Sequence, residues 1–547
     1  METVEDLFAR LEQLNQIGAA LSQQKNLDSL LESILIAAKT ITRADGGTLY
    51  LVELERQLRF AIMRTDSLNI AMGGSTGAPV PFYPIQLYKN GQPNHQMVAA
   101  YAALTGKTVN IADAYTEEGF DFSGTRQFDQ KTGYRSKSFL TVPMKNHEGA
   151  IIGVLQLINR EDPASGQIVP FSESDQRLAE SLASQAAIAL TNRQLIDQLE
   201  ELFESFIGLI NTAIDDKSPY TGGHCQRVPM LTMMLAEAVC ESRTGPFSNF
   251  AMSESDRHEL KIAGLLHDCG KITTPVHVVD KATKLQTIFD RIYLIDARFE
   301  VLKRDAEIAA LRKKIALAGE RQASEIDARA RSYAIDRELR EAVRRLQEDR
   351  EVLRHYNTGG ESMSPEAQER VRQIGTHYKW TDASGHTANL LTADEIDNLS
   401  IPRGTLTAAE REIINHHIVA TIKMLEALPW PKHMRNVAEF AGGHHERVDG
   451  KGYPRGLKRE QMSVQARVMG IADIFEALTA KDRPYKRGKT LSESLAILGS
   501  FKEGGHIDPD LFDIFVRRKV YLRYAEQFLD PHQIDAVDES KIPGYVP

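Results

Sequence analysis

Two adjacent pairs of metal-binding side-chain types mark this chain. His444-His445 opens the stretch His444-His445-Glu446-Arg447-Val448-Asp449-Gly450-Lys451-Gly452-Tyr453-Pro454, and His267-Asp268 opens His267-Asp268-Cys269-Gly270-Lys271. Neighbouring imidazoles rarely both serve packing. Asp473 stands in the apolar run Ile471-Ala472-Asp473-Ile474-Phe475, where an unpaired carboxylate would be costly to bury and a cation at its tip removes the cost. Histidines and carboxylates at dispersed positions are the donor set of a multi-metal hydrolytic centre. Imidazoles hold borderline divalent ions, and a carboxylate can bridge two of them.

These donors need elements that present them. His267 and Asp268 close the apolar helical run Ala263-Gly264-Leu265-Leu266. Successive helical side chains diverge by about 100°, so His267 can serve one ion while Asp268 reaches across to both. Thr407-Ala408-Ala409-Glu410 has the pattern of a capping box and opens a helix that carries His416 and His417. Ile413, Ile414, Ala420, Thr421 and Met424 share the face of His417, which therefore points inward and leaves His416 on the rim. Val437, Phe440 and Ala441 predict a helix ending at His444-His445.

Together, in this order, the motifs resemble the HD-GYP phosphodiesterases, the branch of the HD superfamily that hydrolyses cyclic dinucleotides; the resemblance covers roughly residues 205–285 and 404–530. It implies the metal set His224, His267, Asp268, His417, His444, His445 and Asp473. His224 lies in Pro219-Tyr220-Thr221-Gly222-Gly223-His224, and Tyr220 occupies the place where relatives credited with a third metal have Glu, so two divalent ions are expected. The mixed N/O donor set favours iron or manganese. Asp268 and Lys271 are expected at the reacting phosphate, Lys271 as a point charge. Arg483 and Lys486 are further candidates for substrate contacts, with a solvated basic surface as the competing reading. Gly452, Tyr453 and Pro454 belong to a loop that the family ties to substrate selectivity and to diguanylate-cyclase partners. Gly450 and Gly452 would allow backbone conformations closed to other residues. The implied reaction is hydrolysis of cyclic di-GMP to pGpG, with GMP as a further product. Another cyclic dinucleotide such as 3′,3′-cGAMP is the near rival, and a catalytically weak signalling scaffold is the distant one.

Residues 26–173 read as a mixed helix–strand domain, with strand-like runs at 47–53, 58–63, 139–145 and 151–159, the last two joined by a turn at 146–149. This region resembles a GAF sensor domain through Asn110–Tyr115, Thr132–Ser136 and Val154–Arg160, followed by Phe171 and Asp175. Asp113, Asn159, Arg160, Phe171 and Asp175 carry the resemblance, as ligand contacts or as structural marks. Arg160 stands where cyclic-nucleotide-binding relatives have Lys, a change that can preserve an ion pair with Asp175. A small-molecule ligand is implied, a cyclic nucleotide among the options, with a GAF fold used only for dimerisation as the alternative.

Residues 1–25 predict an amphipathic helix with Leu7, Leu11 and Leu14 on one face. Residues 174–215 read as one long helix in which Ile188, Asn192, Leu195, Leu199, Leu202, Phe206, Leu209 and Ala213 alternate spacings of four and three. That seam predicts a parallel two-stranded coiled coil, hence a homodimer, with Asn192 able to fix register. A single helix packed on its own domain is the alternative. The HD-type domain spans 216–285 and 404–547. The insertion 286–403 separates Lys281-Ala282-Thr283-Lys284-Leu285 from Gly404-Thr405-Leu406-Thr407, which together resemble one continuous family motif. Two breaker-poor helices at 296–318 and 324–356 predict an antiparallel hairpin projecting about 35–50 Å. The polar remainder, from Trp380 to Asn398, either covers the cleft or buttresses the hairpin. The fold class is thus multidomain: an α+β GAF domain with an antiparallel sheet, a coiled-coil linker helix, and an all-α HD-type bundle with an inserted hairpin.

Composition agrees with this scheme. The 547 residues are 42% hydrophobic and 26% charged, with net charge −9, which argues against a binder of nucleic-acid polymer or anionic membrane. Three cysteines, Cys225, Cys240 and Cys269, give no disulfide framework and point to a reducing cytoplasm. The start Met1-Glu2-Thr3-Val4 lacks the basic and apolar regions of a signal peptide, and no apolar run of about 18 residues predicts a membrane span.

Overall fold

A computed structural model describes residues 4–21, 23–24, 26–53, 56–217, 223–319, 325–360, 362–480 and 488–546. The chain divides into two units, Met1–Glu204 and Ser205–Pro547.

The first unit is built on an antiparallel sheet. Its strands are β1 (Ala44–Glu53), β2 (Gln57–Thr65), β3 (Ile70–Gly73), β4 (Ile85–Gln86), β7 (Val109–Ile111), β8 (Phe139–Lys145), β9 (Ile151–Glu161) and β10 (Ile168–Val169), with β3-β2-β1-β9-β8-β7 in spatial order. A separate hairpin joins β5 (Tyr88–Lys89) to β6 (Gln92–Pro93). All four predicted strands are present, and a turn at Asn146–Gly149 joins β8 to β9. Alternate residues point to opposite faces of the sheet. Leu49, Leu51, Leu155 and Leu157 pack with α1 (Val4–Leu21), α2 (Leu27–Thr42) and the first turns of α5 (Glu173–Lys217). Tyr50, Phe139 and Val154 face the other way, toward α3 (Val98–Thr105) and the segment leading into α4 (Ser123–Thr132).

The amino-terminal helix stops short of the predicted end, since 23–24 are not helical, and belongs to the core of the first unit: Leu14 and Leu21 are buried there, while Leu11 is exposed. The Leu7 side chain lies outside the described residues. Asn26 caps α2, its side chain accepting from Ser29 N. The long helix spans 45 residues, two beyond the predicted range at its end. Its heptad seam is exposed, with Leu199 at 64% and Leu209 at 67% of full accessibility. The opposite face, Ile207, Asn211 and Ile214, is buried.

The second unit is helical. α6 (His224–Cys240) packs against α7 (Glu254–Leu266), α15 (Val464–Thr479), α17 (Pro509–Arg517) and α18 (Val520–Phe528). A short 3-10 turn, Cys269–Thr273, lies on α13 (Ala408–Glu426), and α14 (Val437–Gly442) bridges α7, α13 and α15. α8 (Val276–Val279) and α16 (Leu491–Glu503) complete the bundle. Thr407 and Glu410 form the predicted capping box of α13.

The insertion is an antiparallel pair, α9 (Ile292–Ala318) and α10 (Glu325–Asn357). Ion pairs Lys313–Glu338 at 3.0 Å, Lys314–Asp336 at 2.7 Å and Arg350–Glu300 at 3.5 Å step in opposite directions along the two helices. Most of the predicted joint near Gly319–Gln322 lies outside the described residues. Behind the pair come α11 (Pro365–His377), the hairpin β11 (Lys379–Thr381) and β12 (Thr387–Asn389), and α12 (Ala393–Leu399). This part buttresses the hairpin: Val371, Ile374, Leu390 and Leu399 share one buried cluster with Ile295, Phe299 and Leu353. Main-chain and side-chain bonds close the base, Lys284 N to Asn357 O at 2.9 Å and Thr405 Oγ1 to Lys281 O at 2.9 Å. Thr405 therefore lies beside Lys281, 124 positions earlier in the chain. Among the described residues no helix is long and apolar enough to cross a membrane.

Candidate metal centre

The seven predicted donors come from five places on the helical scaffold. His224 opens α6, His267 and Asp268 follow the end of α7, His417 sits mid-way in α13, His444 and His445 follow α14, and Asp473 lies in α15. Two groups of donor atoms converge within the helical unit, His224, His267 and Asp268 in one, and Asp268, His417, His444 and His445 in the other. Asp268 is common to both. Asp473 joins the first group, with Oδ1 at 3.3 Å from His224 Nε2 and 3.9 Å from His267 Nε2. His416 is exposed on the rim while His417 is buried, as the helical face required.

Local helix geometry fixes the imidazoles. The Nδ1 atoms of His267, His417 and His444 lie 2.7, 2.5 and 2.6 Å from the carbonyls of Gly264, Ile414 and Ala441, each three residues earlier. A carbonyl only accepts, so Nδ1 carries the hydrogen and Nε2 faces the centre as a lone pair. That leaves acceptors facing acceptors. His417 Nε2 is 3.2 Å from Asp268 Oδ1, and Asp268 Oδ1 and His444 Nε2 are both buried without a hydrogen-bond partner. Such an array is repulsive unless cations lie among the lone pairs, so these residues fit a pair of divalent ions.

Charge follows the same logic. Burial raises the Asp268 carboxyl, but Lys271 and the surrounding imidazoles outweigh it and hold its pKa well below the usual range. Asp473 is likewise held low against its burial, chiefly by His224. Burial opposes charge on His224, yet Glu476, Asp268 and Asp473 hold it well above its ordinary value. A cation would compete with that proton. His444 is pushed down to about 4 by burial and by His267, and His445 also falls well below normal by burial and by His444. Both are held neutral at pH 7, the state in which an imidazole can take a metal ion.

Lys271 is ion-paired with Asp268 through Oδ2. Gly270 explains itself by crowding: a Cβ there would sit 2.0 Å from the His417 carbonyl. Its N–H donates to Thr421 Oγ1 at 2.9 Å, which seats the turn on α13. Gly450 has φ +78°, as expected. Gly452 does not need a positive φ, and the expectation is corrected here: a Cβ on it would lie 2.3 Å from Arg447 N, so close backbone approach excludes a side chain. Tyr453 stacks on His445 with centroids 4.8 Å apart, and Pro454 follows it in the same loop. Arg483, Lys486 and Tyr220 lie outside the described residues. The three cysteines are free thiols and contribute no donor to the two groups.

Sequence reasoning missed a supporting tier. Glu476 is fully buried, accepts from His224 Nδ1 and pairs with Arg227 at 2.7 Å. Its signal was visible, as the sole acid in Ile474-Phe475-Glu476-Ala477-Leu478, three residues from Asp473. Glu446 accepts from Arg455 N at 2.7 Å and Leu457 N at 2.9 Å, closing the loop that carries Tyr453.

The five GAF marks make contacts within the first unit. Asn159 is buried, accepts from Lys137 N at 2.7 Å and donates to Arg135 O at 2.8 Å. Arg160 and Arg10 both pair with Asp175 at 2.6 Å, and Ser172 N donates to it at 2.8 Å, which pins the start of α5. Asp113 turns the chain by accepting from Tyr115 N, and Phe171 is buried in the core. None of the five lines the cavity on the opposite face of the sheet.

Comparison with known proteins agrees with both units. Residues 26–190 match the GAF domain family, and residues 221–368 and 371–511 match two HD domain families. Similar proteins include 3′3′-cGAMP-specific phosphodiesterase 1 of Vibrio cholerae, 44% identical over 15% of this chain and 19% of that protein. Cyclic di-GMP phosphodiesterase PA4108 of Pseudomonas aeruginosa is 37% identical over 21% of this chain and 26% of its own length. 3′3′-cGAMP-specific phosphodiesterase 3 of Vibrio cholerae is 38% identical over 24% and 27%. The chain thus spans between 19% and 27% of the length of these relatives.

Proposed function

We propose that this chain, which carries a GAF domain ahead of HD-domain sequence, is a metal-dependent phosphodiesterase that opens cyclic di-GMP to pGpG and carries part of it on to GMP. The observation that supports this best is Asp268, a buried carboxylate shared by two convergent histidine groups. His224, His267, Asp268 and Asp473 would hold one divalent ion, and Asp268, His417, His444 and His445 the other, with iron or manganese favoured by the mixed donors. Bound there, such ions lower the proton affinity of water and offset charge on phosphoryl oxygens. Lys271, 22% exposed beside Asp268, is the residue placed to take a phosphate oxygen as a point charge. Tyr453, held over His445 by the Glu446-closed loop, gives a ring for a substrate base to meet. The same loop is our candidate contact for a diguanylate-cyclase partner.

His267→Ala combined with Asp268→Ala is expected to lose detectable cyclic di-GMP turnover and bound metal while keeping its helical circular dichroism. Full turnover in that variant would reject the centre. A second reading, 3′3′-cGAMP as substrate, draws on the 44% identity to a phosphodiesterase named for that nucleotide. A competition assay with equal amounts of both substrates, read as product ratio, separates the two. The exposed seam of α5 supports a homodimer, the GAF unit is read as the sensor of a small molecule, and the free thiols fit a cytoplasmic protein.

A further inference from the structure

A cavity of about 260 Å³ opens into the sensor unit on the sheet face away from its main core. The apolar residues on this face do not form one core. Tyr50, Phe60 and Ala99 belong to one cluster, and Val98, Phe122 and Phe139 to another, and the cavity is lined by members of both. Protein interiors are close-packed, so a cleft that separates two apolar clusters is a place where a ligand can complete the packing. The walls are aromatic: Tyr50 and Phe60 meet at 4.8 Å, Phe60 and Phe82 at 5.4 Å, and Phe122 and Phe139 at 5.4 Å.

The charges select the ligand. Among the described residues the lining holds no lysine, arginine or histidine; its charged member is Asp121, exposed at the mouth. Lys89 and Arg126 act on that carboxylate from outside the lining. Three of the larger polar side chains within are engaged already. Tyr50 donates to Gln156 Oε1 at 3.1 Å, Gln156 Nε2 donates to Thr141 at 3.1 Å, and the Tyr134 hydroxyl donates to Asp45 at 2.5 Å. A phosphate placed here would meet aromatic carbon and an acid, and would lose its hydration without a cation in return.

We infer that this cavity binds an uncharged, ring-bearing small molecule and excludes cyclic nucleotides. A ring slides between aromatic walls with favourable offset or edge contacts, and an apolar cavity of this kind has little hold on water. The inference rests on the GAF unit alone. Its readout is binding rather than hydrolysis, so its failure and that of the phosphodiesterase reading are separate events.

Calorimetric titration of the full chain with indole and with cyclic GMP tests it. Indole is expected to bind saturably, with cyclic GMP at least tenfold weaker. Thr125→Phe, which adds a ring from the half-buried rim of the cavity, is expected to weaken indole at least tenfold. Hydrogen exchange on the unaltered chain supplies a test that needs no variant: indole should slow exchange within residues 98–139. Cyclic GMP binding as tightly as indole overturns the inference. So does the absence of saturable indole binding, or indole binding that leaves exchange in that segment unchanged.

Discussion

At the residue scale, the centre depends on where the second nitrogen of each imidazole goes. Three histidines use a carbonyl one helical turn back, so their own helices set the tautomer. His224 opens its helix and has no such carbonyl; it reaches Glu476, 252 positions away. A carboxylate behind a ligating imidazole fixes the ring and raises its basicity, and losing it typically costs about 10- to 100-fold in metal affinity. Glu476→Gln keeps the shape and an acceptor but removes the charge that pairs with Arg227. The expected outcome is a 10- to 100-fold weaker Mn²⁺ isotherm with unchanged helical content. An isotherm identical to that of the unaltered chain would show that Glu476 serves only packing. His267, His417 and His444 were legible because their motifs lie in contiguous sequence. Glu476 showed only as a lone acid in an apolar run, because the contact that gives it meaning spans 252 positions.

At the element scale, helix α5 has two faces with separate duties. Ile207, Asn211 and Ile214 are buried, and Lys217, its last residue, donates to the carbonyls of Lys271 and Ile272 in the turn that follows Asp268. The helix therefore ends on the turn that follows the His267-Asp268 pair. The other face presents Leu195, Leu199, Leu202, Phe206 and Leu209, each 46% exposed or more. An apolar stripe of that length with alternating spacings of four and three matches a coiled-coil seam. Leu199→Asp with Leu202→Asp places charge on two adjacent layers and should convert a dimer to a monomer near 61.1 kDa in sedimentation. An unaltered chain that already sediments as a monomer at micromolar concentration would remove the seam from the account. Periodicity announced this helix and the hairpin helices to within a few residues, because 3.6-residue spacing over many turns is a local property. The buttress around Val371 and Leu390 had no such spacing, and its place came from packing that a linear pattern does not encode.

At the scale of the whole molecule, the insertion of α9 to α12 interrupts the helical unit and, among the described residues, contributes no donor to either histidine group. Two features make that tolerable. The base is closed by Lys284 N on Asn357 O and by Lys281, whose ammonium pairs with Glu410 at 2.7 Å across the interruption. The buried cluster that includes Ile295, Phe299, Leu346 and Leu353 then holds the lower turns together. Beyond it the hairpin is held largely by exposed ion pairs such as Lys313–Glu338, each worth about 0–1 kcal/mol. It also displays Ile308, Leu311, Ile315, Ile326 and Tyr333, all at least 45% exposed. Distal arm and histidine-bearing unit should therefore be separable. Replacing Ala306–Val343 with a four-residue Gly/Ser turn keeps every member of the base cluster and exchanges a long connection for a short one, a small change in closure entropy. The shortened chain is expected to retain its metal content and turn over cyclic di-GMP within about twofold of the full chain. A loss beyond tenfold with metal still bound would instead make the distal arm part of the catalytic apparatus, reaching the substrate from outside the histidine groups.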